Sequence, residues 1–222
     1  MKTPVRSLLV PQESVLLLID HQPQMLFGVQ SMDRQLIVNN VIGLAKAARA
    51  FKVPTVLTTV AARTFSGPIF QELRDVFPDA DIVDRTTMNT WEDKRCVTAV
   101  QKTGRKKLVI AALWTEVCLC FPALDALRDG YDVHAVEDAS GGVSEAAHRM
   151  AMLRMVQAGV VPVTWQQVMY EWQRDWARTD TADEVRAIAR EHTGAFGYGI
   201  RYARDMWGGE EGKPRPAAPM RH

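Results

Sequence analysis

The chain has 222 residues, of which 47% are hydrophobic and 24% are charged, proportions that are ordinary for a globular protein. Its formal net charge of +1 gives no bulk field that would attract nucleic acid or an acidic membrane surface. Three cysteines are too few for a disulfide framework, and the sequence shows neither a membrane-length apolar run nor a signal-peptide core. We therefore expect a cytoplasmic protein with one main domain that binds neither nucleic acid nor membrane.

The first half of the chain alternates short apolar runs with segments of helical periodicity. The apolar runs predict strands at 15–19, 53–59, 82–83 and 107–112. The periodic segments predict helices at 33–51, over a short stretch ending at Phe77, and at 93–103. Pro54 fits only the beginning of its strand, because proline cannot donate a hydrogen bond to a sheet.

The second half continues the alternation to the end of the predicted domain. The pattern predicts a helix at 118–128, a strand at 131–136, a helix at 144–158, a strand at 160–163, and helices at 165–172 and 180–192. Pro162 indicates that the last strand lies at a sheet edge. The Gly- and Pro-rich segment 208–222 is predicted to be a disordered tail, which leaves residues 1–207 as a single domain.

Alternating strands and helices are typical of an α/β fold with helices on both faces of a parallel sheet. In such sheets, ligands bind beyond the carboxyl ends of the strands. That edge is predicted to carry Asp20, the region around Arg85, Cys118 and the loop 137–142. We therefore look for the chemistry of the protein among these positions.

Cys118 is the candidate nucleophile, because it stands where the strand 107–112 gives way to a helix. Unpaired N–H groups and the helix dipole at such a junction favour the thiolate form of cysteine. Asp20 could accept the thiol proton if burial beside the apolar strand 15–19 raises its pKa. Arg85 or Lys94 could supply a cation that holds the two acidic groups together, and the residues alone leave both open.

Each candidate also has an interpretation without chemistry. A lone cysteine is most often a small buried hydrophobic residue, Asp20 could cap the following turn, and Arg85 could lie on the surface. His21 is predicted to point away from Asp20, because successive side chains near a strand end alternate between faces. Cys96 is predicted to be structural, and Cys120 is predicted to face away from Cys118. The sequence contains no phosphate-binding glycine motif and no metal-ligand cluster with clear spacing.

Four segments of the chain resemble the isochorismatase-like cysteine hydrolases, in particular their YcaC-like branch. They are the Leu-Leu-Leu-Ile-Asp-His-Gln run at 16–22, the segment 85–91, the Thr-Glu-Val-Cys run at 115–118, and the Val-Glu-Asp-Ala-Ser-Gly run at 136–141. The resemblance runs from residue 10 or so to residue 205. It implies a doubly wound, three-layer α-β-α sandwich with a six-stranded parallel sheet, and homo-oligomers built from rings, such as an octamer.

The same resemblance implies roles for the site residues. Asp20 matches the base, Cys118 the nucleophile, and Arg85 the cation that is usually lysine in the family, with Lys94 as the fallback. A non-proline cis peptide is implied between Leu113 and Trp114, with the backbone N–H groups of Trp114 and Cys118 forming an oxyanion hole. Trp114 is also expected to roof the pocket and narrow the choice of substrate.

The resemblance also bears on cofactors and substrate. The Asp-x-His motif through which nicotinamidases of this superfamily bind a metal is absent from the segment 58–65, so no metal or other cofactor is expected, and nicotinamide is not the expected substrate. Isochorismatase itself works without a nucleophilic cysteine, so Cys118 argues against vinyl ether hydrolysis. The predicted function is metal-independent hydrolysis of an amide or related C–N bond in a small-molecule substrate, through a thioester on Cys118.

Two alternative functions and one question of assembly stay open. The chain could be a noncatalytic scaffold or binding protein on the same fold, or a thiol redox sensor that uses Cys118 with Cys120. Aromatic residues are abundant from Trp165 onward. Aromatic anchors concentrate binding energy at interfaces, so the helices after residue 165 are predicted to lie between subunits of a homo-oligomer. A helix packed on its own core is the simpler alternative.

Overall fold

A computed structural model describes residues 8–207, and at its centre is a six-stranded sheet in which every pair is parallel. The strands are β1 (Ser14–Ile19), β2 (Thr55–Val60), β3 (Ile82–Arg85), β4 (Lys107–Ala112), β5 (Asp132–Val136) and β6 (Val161–Val163). The helices are α1 (Pro23–Phe27), α2 (Arg34–Ala50), α3 (Gln71–Val76), α4 (Lys94–Lys102), α5 (Cys120–Arg128), α6 (Glu145–Ala158), α7 (Trp165–Gln173), α8 (Thr179–His192) and α9 (Ala195–Trp207). Helices cover both faces of the sheet, so the predicted α-β-α architecture is confirmed.

The two central strands carry the core and set the position of the site. The spatial order is β3-β2-β1-β4-β5-β6, so the order of the strands reverses between β1 and β4. Every residue of these two strands is buried, as expected for parallel strands covered on both faces. Because Ile19 pairs with Ala112, the loops that follow β1 and β4 emerge side by side. This is the switch point at which doubly wound sheets bind ligands.

The two prolines at strands behave as the sequence predicts. Strand β2 begins directly after Pro54, and β6, which contains Pro162, is an edge strand paired with β5. Strand β3 is longer than predicted and ends at Arg85, which pairs with Val60 of β2. The extra length brings Arg85 to the carboxyl edge of the sheet.

Two helices were not predicted, each for a physical reason. Helix α1 has only five residues, too few for a periodic pattern to be visible. Helix α9 contains Gly197 and Gly199, and glycine has a low helix propensity. Gly197 packs against α8 so closely that a Cβ atom there would lie 2.8 Å from the carbonyl oxygen of Ala189. Tertiary packing therefore overrides local preference in α9.

The described residues leave out both ends of the chain. The tail predicted to be disordered, 208–222, lies outside the described residues, as does the segment 1–7. Within residues 8–207, no helix combines the length and the apolar character needed to cross a membrane.

Candidate active site

Asp20, Arg85 and Cys118 come together beyond the carboxyl ends of β1, β3 and β4. Arg85 Nη2 donates a hydrogen bond to Asp20 Oδ2 at 2.7 Å, and neither side chain is accessible to solvent. The Cys118 thiol lies near enough to the same carboxylate that each group shifts the pKa of the other. The other carboxylate oxygen, Asp20 Oδ1, accepts no hydrogen bond from residues 8–207 and is therefore available to accept a proton. The structure thus places the three candidate side chains in one buried cluster.

The cation beside Asp20 is Arg85 and not Lys94. Arg85 is 2% exposed, and its guanidinium also donates from Nη1 to the carbonyl oxygen of Thr87. Lys94 is exposed at the start of α4 and lines a groove that also contains Pro54 and Thr55. Those residues begin β2, so Lys94 faces the end of the sheet opposite to Asp20.

The backbone at Asp20 is unusual and firmly held. Asp20 adopts a left-handed conformation with φ of 59°, which aspartate tolerates better than most residues do. Its N–H donates to Thr58 O at 3.0 Å, and its own carbonyl accepts from Gln22 N at 2.8 Å. Asp20 therefore ends β1 while remaining tied to the neighbouring strand β2.

Cys118 lies inside a π-helical turn, Thr115–Leu119, that runs directly into α5. The sequence analysis started the helix at Cys118, but α5 begins two residues later at Cys120. Such turns carry one extra residue per turn and occur frequently at functional sites. The peptide bond between Leu113 and Trp114, just before this turn, is cis, as the resemblance implies.

Burial controls the protonation of the cluster. It raises the pKa of Asp20 to about 6, against the opposing effects of the Arg85 charge and the hydrogen bonds from Cys118 and Arg85. Burial and then the negative charge of Asp20 raise the pKa of Cys118 far above its ordinary value, while Arg85 and a hydrogen bond from the Trp114 backbone oppose the rise. The expectation of an ionised Cys118 is therefore wrong for the resting protein, in which Cys118 is a thiol.

The other histidine and cysteine candidates stay structural. His21 Nε2 lies 3.0 Å from the carbonyl oxygen of Ala139, its ring packs edge-on against Phe70, and burial lowers its pKa to about 4. It is a neutral core residue that takes no part in the Asp20–Arg85 pair. Cys96 and Cys120 are buried and uncross-linked, and burial raises the pKa of both thiols.

Gln22 and Trp114 hold the surroundings of the site. The Gln22 side chain is buried, accepts from Val60 N at 2.9 Å and donates to Gly67 O at 2.6 Å, so it ties the end of β1 to the end of β2. The half-buried Trp114 donates from Nε1 to Met25 O at 2.7 Å and packs on Gly28, where a Cβ atom would lie 2.6 Å from the ring. Trp114 therefore anchors α1 to the catalytic edge, and its role as a pocket roof stays a prediction.

The segment 58–65, in which nicotinamidases carry their metal motif, has a structural use here. Thr59 Oγ1 and Ala62 N both donate to Asp84 Oδ1, at 2.9 and 3.0 Å. Across residues 8–207, no three His, Cys, Asp or Glu side chains are grouped so that they could hold a metal ion. The buried cluster of Asp20, Arg85 and Cys118 combines a carboxylate, a guanidinium and a thiol.

Two residues that the sequence analysis did not single out are joined directly behind Cys118. Thr115 Oγ1 and His148 Nδ1 lie 2.8 Å apart, and both side chains are buried. The sequence signal for Thr115 was its position in the Thr-Glu-Val-Cys run. His148 lies 33 positions later in the chain, and no sequence signal linked it to Thr115.

Comparison with known proteins identifies relatives of this chain. A family model described as the isochorismatase domain matches residues 14–167. The Escherichia coli (strain K12) protein named "Probable hydrolase YcaC" is 41% identical over 165 residues, which cover 74% of this chain and 79% of that protein. The secreted isochorismatase effector Isc1 of Phytophthora sojae is 26% identical over 189 residues, covering 83% of this chain and 88% of that protein.

Two solved structures of YcaC proteins have the same fold. Escherichia coli YcaC, described as an octameric hydrolase of unknown specificity, gives a TM-score of 0.87 at 36% identity and covers 92% of this chain and 100% of its own. YcaC from Pseudomonas aeruginosa, solved with hexane-2,5-diol and covalent acrylamide, gives a TM-score of 0.85 at 36% identity, with coverages of 90% and 98%. The chain therefore belongs to the isochorismatase family, in its YcaC-like branch.

Proposed function

We propose that the protein is a metal-independent cysteine hydrolase that cleaves a small amide or related C–N bond. The observation that carries this proposal is the buried Arg85–Asp20 pair with the Cys118 thiol against the same carboxylate. With a pKa of about 6, Asp20 is a stronger base than aspartate in water and is still ionised at neutral pH. Nucleophile, base and cation thus stand in the order that thiol activation requires.

The first half of the reaction follows from these protonation states. Asp20 removes the Cys118 proton as the sulfur attacks the substrate carbonyl, because forming a free thiolate beforehand is opposed by burial and by the charge of Asp20. The negative charge moves to the carbonyl oxygen, where the backbone N–H groups of Trp114 and Cys118 stabilise it. The Trp114 backbone acts to lower the pKa of Cys118, as a donor beside the sulfur does.

The second half returns the protein to its starting state. Asp20 gives its proton to the leaving nitrogen, the C–N bond breaks, and an acyl group remains on Cys118 as a thioester. Asp20 then takes a proton from water as the water attacks the thioester, and the proton passes to the departing sulfur. Arg85 keeps its charge throughout and holds the carboxylate in position.

The relatives support a reactive nucleophile and a small substrate. The Pseudomonas aeruginosa YcaC carries covalent acrylamide, a small molecule that contains an amide and an electrophilic alkene. By analogy, we expect Cys118 of this chain to react with acrylamide. The three cysteines are free, which suits the reducing cytoplasm where we place the activity.

We also propose that the chain forms a homo-oligomer through its C-terminal helices, as the octameric state of Escherichia coli YcaC suggests. Tyr198, Tyr202 and Met206 are spaced four residues apart on α9, so they form one stripe along the helix. They are 71%, 60% and 63% exposed. Aromatic and methionine side chains are enriched at interfaces, so this stripe is the surface that a second copy of the chain would cover.

Replacement of the nucleophile tests the proposed reaction. Cys118→Ala should lower turnover of the best substrate in a library of small amides by at least about 10³-fold, the loss typical of removing a nucleophile. Cys120→Ala, which removes a second buried thiol two residues away, should retain turnover within a few-fold of wild type. Circular dichroism and thermal unfolding of both variants monitor the fold.

The same proteins are then incubated with acrylamide and weighed by mass spectrometry. Wild type and Cys120→Ala should gain one adduct that Cys118→Ala lacks. Retained turnover in Cys118→Ala would overturn the mechanism. A wild-type protein that neither hydrolyses any amide nor takes up acrylamide would instead indicate the noncatalytic scaffold. Reversible formation of a sulfenic acid or a mixed disulfide at Cys118, without hydrolysis of any amide, would indicate the redox sensor.

A further inference from the structure

A buried histidine stands behind the turn that carries Cys118. Its Nδ1 atom lies 2.8 Å from the hydroxyl oxygen of Thr115, the first residue of that turn. Thr115 is 0% exposed and His148 is 9% exposed. The other ring nitrogen, Nε2, lies 3.6 Å from Glu137 Oε1. The histidine thus bridges the turn and the segment that follows β5.

The partners decide the direction of these interactions. Glu137 Oε1, at 3.6 Å, is too far from Nε2 for a hydrogen bond, but its negative charge favours the tautomer that carries hydrogen on Nε2. Nδ1 is then an acceptor, and the Thr115 hydroxyl donates to it. Thr115 is therefore held by a directional bond that depends on a nitrogen acceptor at one position of the ring.

The rest of the turn is attached to the same neighbourhood through the backbone. Thr115 N donates to Gly141 O at 3.0 Å, and Glu116 Oε1 accepts from Val143 N at 3.1 Å. Gly142 fits tightly in this region: a Cβ atom there would lie 2.6 Å from Glu116 Oε2 and 3.1 Å from His148 Cβ. The loop after β5 is thus clamped between the turn and α6.

His148 itself cannot move freely. It lies in the first turn of α6, whose N-terminus is capped by Ser144 through a bond from Ala147 N to Ser144 Oγ at 3.1 Å. Its outer side lines a surface groove of about 440 Å³ together with Glu137, Glu145 and Arg149. The ring is held by a capped helix on one side and by Thr115 on the other, which is the arrangement of a rigid support.

We propose that His148 is a positioning residue for Cys118. By holding the Thr115 hydroxyl, it keeps the π-helical turn in the one arrangement that places the thiol against Asp20. This inference rests on the proposed function for its catalytic consequence, whereas the effect on the turn itself can be measured without turnover. His148 touches neither the substrate nor the reacting sulfur and takes no proton from it.

Paired substitutions separate the bond from mere packing. His148→Asn keeps an acceptor near the Nδ1 position, whereas His148→Leu fills similar space without one. Thr115→Ser keeps the hydroxyl, whereas Thr115→Val removes it with little change in shape. Amide hydrogen exchange of the peptide 113–120 in the full-length protein reports how firmly the turn is held.

We expect His148→Leu and Thr115→Val each to speed exchange in this peptide by at least about 10-fold, with His148→Asn and Thr115→Ser close to wild type. The double variant His148→Leu/Thr115→Val should match either single variant, because both remove the same bond. For an amide that wild type hydrolyses, we expect kcat to fall in the two variants in which exchange becomes faster. Their KM should change less than kcat. If His148→Leu does not fold, the Thr115 pair alone decides.

Unchanged exchange in Thr115→Val and His148→Leu, or additive effects in the double variant, would overturn the inference. The inference would also be overturned if exchange in His148→Asn were as fast as in His148→Leu. That result would show that the packing of the imidazole ring matters and its hydrogen bond does not. Cys118→Ala is the reference for the proposed reaction: it should lose turnover and keep wild-type exchange. Turnover that survives in Cys118→Ala overturns the proposed function, whereas unaltered exchange in the bond-deleting variants overturns the role of His148.

Discussion

At the scale of single residues, burial has the largest effect on the site. Both acidic groups next to Arg85 have raised pKa values, and desolvation is the leading cause for each of them. A more basic carboxylate beside a protonated thiol suits this reaction. The proton moves from Cys118 to Asp20 only when the sulfur attacks a substrate carbonyl. The guanidinium lowers the pKa of both groups without dominating either.

The raised pKa of Asp20 predicts how the activity depends on pH. Asp20 must be ionised to accept the thiol proton, so kcat/KM should fall as the pH is lowered through about 6, approaching tenfold per pH unit below it. Measurement of amide turnover between pH 4.5 and pH 8 tests this. Asp20→Asn should be inactive across the range.

A variant outside the buried cluster provides the control for this profile. Asp93 caps α4 by accepting from Arg95 N, and the bonds and charge of Arg95 hold its pKa below the ordinary value. Asp93→Asn should therefore show the same acid limb as wild type. A profile that stays flat through pH 6 in the wild-type protein would exclude Asp20 as the base.

The sequence predicted the positions of Asp20 and Cys118 but not the protonation of Cys118 or the contact of His148. Asp20 and Cys118 were found because each follows an apolar strand, and the carboxyl ends of parallel strands meet at one edge. The ionisation of Cys118 was not predictable, because it depends on burial by segments that are distant in the chain. The sequence around His148 does not predict its contact with Thr115.

At the scale of elements, close helix packing is decided by small residues. Gly43 of α2 faces Trp165, the first residue of α7, and a Cβ atom at Gly43 would lie 2.8 Å from the indole ring. Trp165 is 3% exposed, and its backbone N–H is fixed by Asp138 Oδ1 at 2.8 Å. The ring therefore has little room to yield.

Gly43→Ala should destabilise the protein through this contact. Overpacking of this kind costs about 1–3 kcal/mol, which exceeds the gain of about 1 kcal/mol from the better helix propensity of alanine. Urea unfolding followed by circular dichroism measures the change in the free energy of unfolding.

Gly199 of α9 provides the matched control for this substitution. A Cβ atom there would meet no atom within 4 Å, so Gly199→Ala should be neutral or stabilise by up to about 1 kcal/mol. An equal or greater stability of Gly43→Ala than of wild type would show that α2 and α7 can separate to admit the methyl group.

The sequence predicted strands β1 to β6 and helices α2 to α8, and it missed α1 and α9. Periodicity identifies an element only when the element is long enough to repeat and has one clearly apolar face. Helix α1 is short, and α9 carries aromatic side chains on an exposed stripe as well as two glycines, of which Gly197 packs against α8. Its helical structure depends on its contact with α8.

At the scale of the whole molecule, that exposed stripe is the feature that a lone chain leaves unexplained. The proposed homo-oligomer would cover Tyr198, Tyr202 and Met206 and remove their apolar surface from water.

Sedimentation equilibrium should therefore give a mass that is a multiple of the 24.9 kDa chain. Tyr198→Glu/Tyr202→Glu should shift the mass towards one chain while the far-UV circular dichroism is retained, because burying two carboxylates in an interface is costly. The control is Leu36→Glu, which places a charge on an apolar side chain that is 47% exposed at the start of α2. A wild-type protein that sediments as a single chain, or a double variant of unchanged mass, would contradict the interface.

The sequence by itself determined the layered α/β architecture, the edge position of the strand with Pro162, and the strand ends that carry Asp20 and Cys118. These features follow from local rules of periodicity, proline geometry and parallel strand direction. Only the tertiary structure decided that Arg85 and not Lys94 meets Asp20, that Cys118 rests as a thiol, and that His148 reaches Thr115. The physical reason is that desolvation and side-chain contact depend on which distant segments pack together.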